Sequence, residues 1–243
     1  LKPQEIDQHT RNDIKAFFEI HIEQGPILEA GGEDIGVVDV IVGIRRLMVT
    51  VTGRADHVGT MPMDMRMDAL EAASRVIAKI GDRARNYPDA VATVGYLSLE
   101  PNIMNIIPSQ VTFALDIRGT SPDIIQAQHQ GLLHDLEAVR QRLAVNYQVE
   151  PLLDAAPVRM DQTLGQLCDQ ALEARGYTCR HLNSGAGHDA QIFGQVLPTA
   201  MLFVPSLDGR SHCPEEYSDE RTLAQASRIA ADVIARINEE KSL

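Results

Sequence analysis

Residues 200–204, Ala200-Met201-Leu202-Phe203-Val204, are apolar at every position, without the alternation that marks a strand buried on one face only. An unbroken apolar run of this length predicts a central strand of a buried sheet. Downstream, Leu223, Ala226, Ala230, Val233 and Ile237 recur three and four apart, the stripe of a helix that packs on that sheet. Upstream, Thr163 to Glu173 reads as a helix ending near Gly176, and Tyr177 to Leu182 as a short strand. Ser184 to His188 reads as a loop, with a brief helix from Ala190. Near the start of the chain, 14–28, IKAFFEIHIEQGPIL, holds either a buried strand or a helix end followed by a strand. Val37 to Val42 is a further apolar segment, closed by Gly43. Strands and helices alternating in this way indicate an α/β unit.

The middle of the chain differs. Leu47, Val49 and Val51 alternate with Met48, Thr50 and Thr52, and Val111, Phe113, Leu115 and Ile117 alternate with Thr112, Ala114, Asp116 and Arg118. Between them, Asp64 is positioned to cap a helix carrying Leu70, Ala73, Ile77 and Ile80, which stops at Asn86 to Pro88. Val91 to Leu99 is rich in β-formers. Ser121-Pro122-Asp123 is a strong helix start, and Ile125, Leu132, Leu136, Val139 and Leu143 form its stripe before a last strand over Tyr147 to Leu153. The order β-α-β-β-α-β predicts an α+β unit, a four-stranded antiparallel sheet with both helices on one face. The expected organisation is therefore an α/β domain of residues 1–42 and 154–243, with 43–153 inserted.

Composition narrows the function. Lys and Arg number 22 against 34 Asp and Glu, a net charge of -12, the wrong sign for a nucleic-acid groove. No apolar run approaches the roughly 20 residues of a membrane helix, so no membrane partner is expected. Cys168, Cys179 and Cys213 make neither a disulfide framework nor a CxxC pair, and the polar opening LKPQEIDQHTRND lacks the apolar core of a leader. A cytoplasmic location is the expectation.

Five places can carry chemistry. In His21-Ile22-Glu23-Gln24-Gly25, a strand would put His21 and Glu23 on one face, as metal ligand and as co-ligand or orienting group; the plainer alternative is a surface histidine. His57 lies in a glycine-flanked loop where it can meet a developing oxyanion, with Asp56 placed to raise its pKa, or it is an ordinary loop residue. Asn105 and Arg118 can bind a carboxylate. For Arg118 a cross-strand ion pair is the plain alternative. A pair with Asp116 is not expected, on the ground that i and i+2 neighbours sit well apart. Ser184-Gly185-Ala186-Gly187-His188-Asp189 can offer N–H groups to an anion or simply cap a helix, and it lacks the Lys-Ser/Thr of a phosphate loop. His212, in Ser211-His212-Cys213-Pro214-Glu215-Glu216 beyond the buried strand, can ligate a metal; Cys213 is a poor nucleophile candidate, because a sequence neighbour is not a placed base.

HIEQGP, GRADHVGTMPMDMRMDAL, NIIPSQVTFALDIRG, SGAGHDA and FVPSLDGRSHCPEE, in that order over nearly the whole chain, resemble the M20 metallopeptidase-like amidohydrolases. The branch they resemble holds N-carbamoyl-L-amino acid hydrolases and allantoate amidohydrolases. The resemblance implies a partial α/β catalytic domain of the di-metal exopeptidase kind, and an inserted lid and dimerisation domain through which a homodimer forms. His21 and His212 would each ligate one of two divalent ions, Zn, Mn, Co or Ni. Gln24 would lie beside the substrate, and His57 would reach into the partner subunit's site to stabilise the tetrahedral intermediate. Asn105 and Arg118 would grip the substrate carboxylate, with Gly185, Ala186, Gly187 and His188 completing the pocket. The family's remaining ligands, a histidine, a bridging aspartate and a Glu-Glu pair, have no counterpart here: His9 and Asp13 are too close to His21, and Glu215-Glu216 follows the last ligand. The expectation is a fragment with little metal affinity of its own. The implied reaction is hydrolysis of a ureido or linear amide bond, releasing ammonia and carbon dioxide. Rival readings are a dipeptidase, an N-acyl amino acid hydrolase, or a non-catalytic dimerisation or ligand-binding module.

Overall fold

The structure, a computed structural model, describes residues 13–239, so His9 lies outside the described residues. In chain order the elements are β1 (Phe17–Ile22), α1 (Ile27–Gly31), β2 (Ile35–Ile41), β3 (Gly43–Thr52), α2 (Ala69–Arg85), β4 (Ala90–Glu100), β5 (Gln110–Gly119) and α3 (Pro122–Leu143). There follow β6 (Asn146–Ala155), β7 (Val158–Arg159), α4 (Gln162–Arg175), β8 (Cys179–Ser184), α5 (Asp189–Phe193), β9 (Thr199–Val204) and α6 (Glu220–Glu239). They form two compact units, one of the residues up to Ile41 and from Val158 on, the other of Val42–Pro157.

In the first unit β9 lies between β1, which it pairs in parallel, and β2, which it pairs antiparallel; β2 also pairs with β7 and β8. Every residue of β9 is buried, because both faces of the sheet are covered. Ala200, Leu202 and Val204 pack with Leu164, Leu167 and Ala171 of α4 and with Ala226, Ile229 and Val233 of α6. Met201 and Phe203 pack on the other face with Leu28, Leu182 and Ala190. Asp161 caps α4 by accepting from the Leu164 N–H at 2.9 Å, and Gly176, at φ 66°, ends it. Two expectations need correction. Leu223 is 39% exposed and Ile229 takes its place in the buried stripe of α6. The strand begins at Cys179 because Tyr177 and Thr178 are held in the turn, by the Leu172 carbonyl and by Asp34.

The second unit is a four-stranded sheet in the order β4-β5-β3-β6, antiparallel throughout. Leu47, Val49, Val51, Val111, Phe113, Leu115 and Ile117 face one core with Ala72, Ala73 and Val76 of α2 and Leu132 and Leu136 of α3. The cap of α2 is Asp68 rather than Asp64: its Oδ1 accepts from the N–H groups of Leu70 and Glu71, whereas Asp64 sits in a single 3-10 turn, Met63–Met65. The loop extends that far because the Arg54 N–H donates to the Met67 carbonyl at 2.8 Å, fixing where the helix can start. Between the helices, the buried Asp135 carboxylate takes both Lys79 and Arg83 of α2. No described helix is long and apolar enough to cross a membrane.

One contact makes the first unit pH-sensitive. His181 of β8 bridges Asp39 of β2, at 2.7 Å from Nδ1, and Asp169 of α4, at 2.9 Å from Nε2. The Asp39 hydrogen bond raises the imidazole pKa above its ordinary value; burial opposes this and Asp169 adds to the rise. A raised folded pKa means the contribution is complete below about pH 6.5, the unfolded value, and is lost as pH rises through the folded value. These groups are well exposed, so the effect is about 0.5 kcal/mol. Thermal unfolding followed from acidic to mildly alkaline pH should show this loss, and His181→Asn should flatten it.

Candidate functional site

Parallel pairing sets Ile22 beside Val204, so β1 and β9 end at the same edge of the sheet. The Glu23 N–H continues the ladder to the Val204 carbonyl at 2.9 Å. The chain then turns: Gln24 adopts φ 58°, and its N–H donates to the buried Ser206 hydroxyl at 3.0 Å. That turn brings the start of α1 back to Glu23. The Glu23 carboxylate, 9% exposed, accepts from the N–H groups of Ile27 and Leu28 at 2.8 and 2.9 Å. It caps the start of α1, so its carboxylate is spent on backbone N–H groups rather than on orienting His21.

Beyond β9, Asp208 and His212 also have positive φ, 55° and 57°. Glu216 fixes the second of these by accepting from the His212 N–H at 2.9 Å. The Gln24 amide nitrogen stands 3.2 Å from His212 Nε2. His21, Gln24, His212, Glu216 and Leu223 line one cleft of about 470 Å³. The two histidines expected to hold metal are thus brought to one place.

His21 donates from Nδ1 to the Ile22 carbonyl at 2.9 Å in the tautomer that leaves Nε2 as a lone pair. On its other side, a hollow of about 590 Å³ is lined by Glu19, His21, Gly187, His188, Asp189 and Gln191. The His21 and His188 rings meet edge to face at 4.6 Å. One donor atom each from Glu19, His21 and His188 lie within 4.8 Å of one another. Burial, reinforced by His21, pushes the His188 pKa down to about 4 against the pull of Asp189, so its ring is neutral. His188 Nε2 is 2.6 Å from the Ser184 hydroxyl, which also accepts from the Ala186 N–H at 3.2 Å. Glu19 accepts from the Ala190 N–H at 2.7 Å. The glycine loop therefore offers fewer N–H groups to an anion than its sequence suggests. Glu19 is not among the residues that the sequence points to, although it lies two residues before His21 on the same strand face.

Imidazole nitrogens with carboxylates close by suit Zn, Mn, Co or Ni, and a second ring nitrogen tied to a carbonyl is the usual outer support of a metal-binding histidine. The residues present fit such chemistry: His21 would hold one ion, with Glu19 and His188 nearby, and His212 the other, with Glu216 nearby.

In the second unit, the loops 53–67 and 101–108 are zipped together. His57 bridges to Ile106, the Val58 N–H donates to the Asn105 carbonyl, and the Ile107 N–H to the Asp56 carbonyl. His57 Nδ1 accepts from the Gly59 N–H at 3.1 Å, and the Asp56 carboxylate pairs with Arg54 at 2.7 Å. Arg118 does pair with Asp116, Nε to Oδ1 at 2.8 Å. The pair forms against expectation because i and i+2 side chains share a strand face, roughly 7 Å apart at Cα, a gap a long guanidinium closes. Asn105 precedes the first residue of β5, Gln110, while Arg118 is near its end, Gly119.

Because Glu23 is a cap, Glu23→Ala should cost about 1–2 kcal/mol of stability and lower the thermal midpoint. Metal affinity, read by calorimetric titration of the same variant, should change far less than in His21→Ala.

The profile of peptidase family M20/M25/M40 matches residues 4–236. The chain is 38% identical over 228 residues to an allantoate amidohydrolase of Bacillus subtilis, covering 93% of this chain and 55% of that protein. It is 37% identical over 241 residues to an N-carbamoyl-L-amino-acid amidohydrolase of Paenarthrobacter aurescens, covering 98% and 58%. Among solved structures, a hydantoinase/carbamoylase family amidase of Burkholderia multivorans superposes with a TM-score of 0.85 at 36% identity, over 90% of this chain and 54% of that one. The chain spans little more than half the length of these relatives. Matched along nearly all of its length, the chain belongs to peptidase family M20/M25/M40.

Proposed function

We propose that the protein carrying this chain hydrolyses the ureido or linear amide C–N bond of an N-carbamoyl-L-amino acid or allantoate with the help of two divalent metal ions. The observation that carries the reading is the convergence of His21 and His212 on one cleft at the edge where β1 and β9 end, with Gln24 against His212. A bound divalent ion would supply Lewis acidity there. His21 would hold one ion and His212 the other, each through a ring nitrogen. Gln24, already directed at His212, orients the ureido group. His57 donates to the oxygen that becomes negative as water adds to the carbonyl. Addition of water and cleavage of the C–N bond give the free amine and carbamate, which breaks down to ammonia and carbon dioxide.

Arg118 and Asn105 recognise the substrate carboxylate. β5 separates them: Arg118 lies eight residues beyond Gln110, roughly 27 Å at about 3.4 Å per residue. One copy cannot bring both to one small carboxylate. A homodimer formed through residues 43–153 resolves this, with His57 and Asn105 coming from one protomer and Arg118 from the other.

The full-length, metal-loaded protein should release ammonia from allantoate or N-carbamoyl amino acids. Cleavage of dipeptides alone would overturn the assignment. His57→Ala should lower turnover about 10²–10³-fold with metal content unchanged. Mixing the separately impaired His57→Ala and Arg118→Ala proteins should restore part of the activity; no recovery in mixed dimers would refute the shared site.

A further inference from the structure

On the open face of the antiparallel sheet, Arg46 of β3 and Asp116 of β5 are direct cross-strand partners, and Arg118 follows two residues along the same face. Asp116 Oδ1 accepts from Arg118 Nε at 2.8 Å. Its Oδ2 accepts from Arg118 Nη2 at 3.2 Å and from Arg46 Nε at 2.7 Å. A single carboxylate thus orients two guanidiniums. Burial alone would push the Asp116 pKa up, but hydrogen bonds and charge from Arg118 and Arg46 outweigh it and hold the acid below the usual carboxylate range. Asp116 therefore stays ionised at neutral pH.

These side chains are between a quarter and a half exposed, and ion pairs so open to water contribute little to stability. Their arrangement has a clearer meaning for binding. Two guanidiniums and one carboxylate leave one positive charge within the triad, on a chain whose net charge is -12. Planar guanidiniums ordered in advance lose less freedom when a carboxylate arrives than solvated ones do.

We propose that Asp116 is a positioning residue that sets Arg46 and Arg118 side by side as a paired carboxylate site, with Arg46 as a second residue determining specificity for an anionic substrate. The proposal rests on the reading of Arg118 as the carboxylate anchor and adds two residues to it.

The test compares an N-carbamoyl amino acid with its carboxamide analogue, using the full-length, metal-loaded protein. Asp116→Asn should raise KM for the carboxylate substrate about tenfold, with a much smaller change in kcat, and leave KM for the carboxamide nearly unchanged. Asp116→Glu should recover part of the loss, and Arg46→Gln should show the same substrate-selective rise. An equal effect on both substrates would make the triad merely structural and overturn the proposal. A second readout does not require turnover: the Nε–H resonances of Arg46 and Arg118 are followed while N-carbamoylglycine is added. Both should move in the wild type, and neither moving would also overturn the proposal. If both move in a protein that never releases ammonia, the paired site stands and the hydrolase reading fails.

Discussion

Parallel pairing of β1 with β9 is the constraint from which the candidate site follows. Two strands distant in sequence reach the same edge only when they run the same way, and then the segments leaving them start side by side. Glu23 extends that ladder by one more bond to Val204, and Gln24 meets Ser206 immediately afterwards. The result is a contact between Gln24 and His212, which are 188 positions apart. The pairing itself depends on the interior place of β9, whose alternate side chains enter two separate cores.

The cleft is reached at local expense. Gln24, Asp208 and His212 all take the left-handed backbone region, at about 1–2 kcal/mol each for residues with a Cβ. Polar groups aimed at backbone N–H hold two of these turns: the Ser206 hydroxyl at Gln24 and the Glu216 carboxylate at His212. Capping of α1 by Glu23 adds a further restraint just before the first. Strain that is held in place and gathered around convergent side chains is characteristic of functional sites. It also explains why Glu23, which reads as a possible ligand in the sequence, serves as a support.

How far the sequence could be read depended on the range of the interaction. The stripe of α6, the Ser121 cap, the Gly176 stop and the apolar run of β9 are local patterns, and the elements they imply are present. The role of Glu23 was hidden because it turns on one torsion, the positive φ of Gln24, which no periodicity encodes. Asp64 and Asp68 are both credible caps, and the choice was made by a hydrogen bond from Arg54 to Met67 closing the preceding loop. The separation of Asn105 from Arg118 was implicit in the strand between them, since an extended segment of that length cannot fold back on itself.

The two units also differ in the kind of charge they present. In the first, imidazoles lie among carboxylates: His21 and His188 beside Glu19, and His212 beside Glu216. That environment favours a cation. In the second, Asp116 gathers two guanidiniums, which favours an anion. A chain of net charge -12 should repel any anion at long range. Over distances beyond about 8–10 Å that repulsion is screened by salt, so the outcome is decided by the few groups within reach. A compact pair of arginines can therefore capture an anion on an acidic protein, provided a neighbouring acid holds them in place without cancelling their charge. Asp116 meets both conditions, because it is one carboxylate shared between two cations.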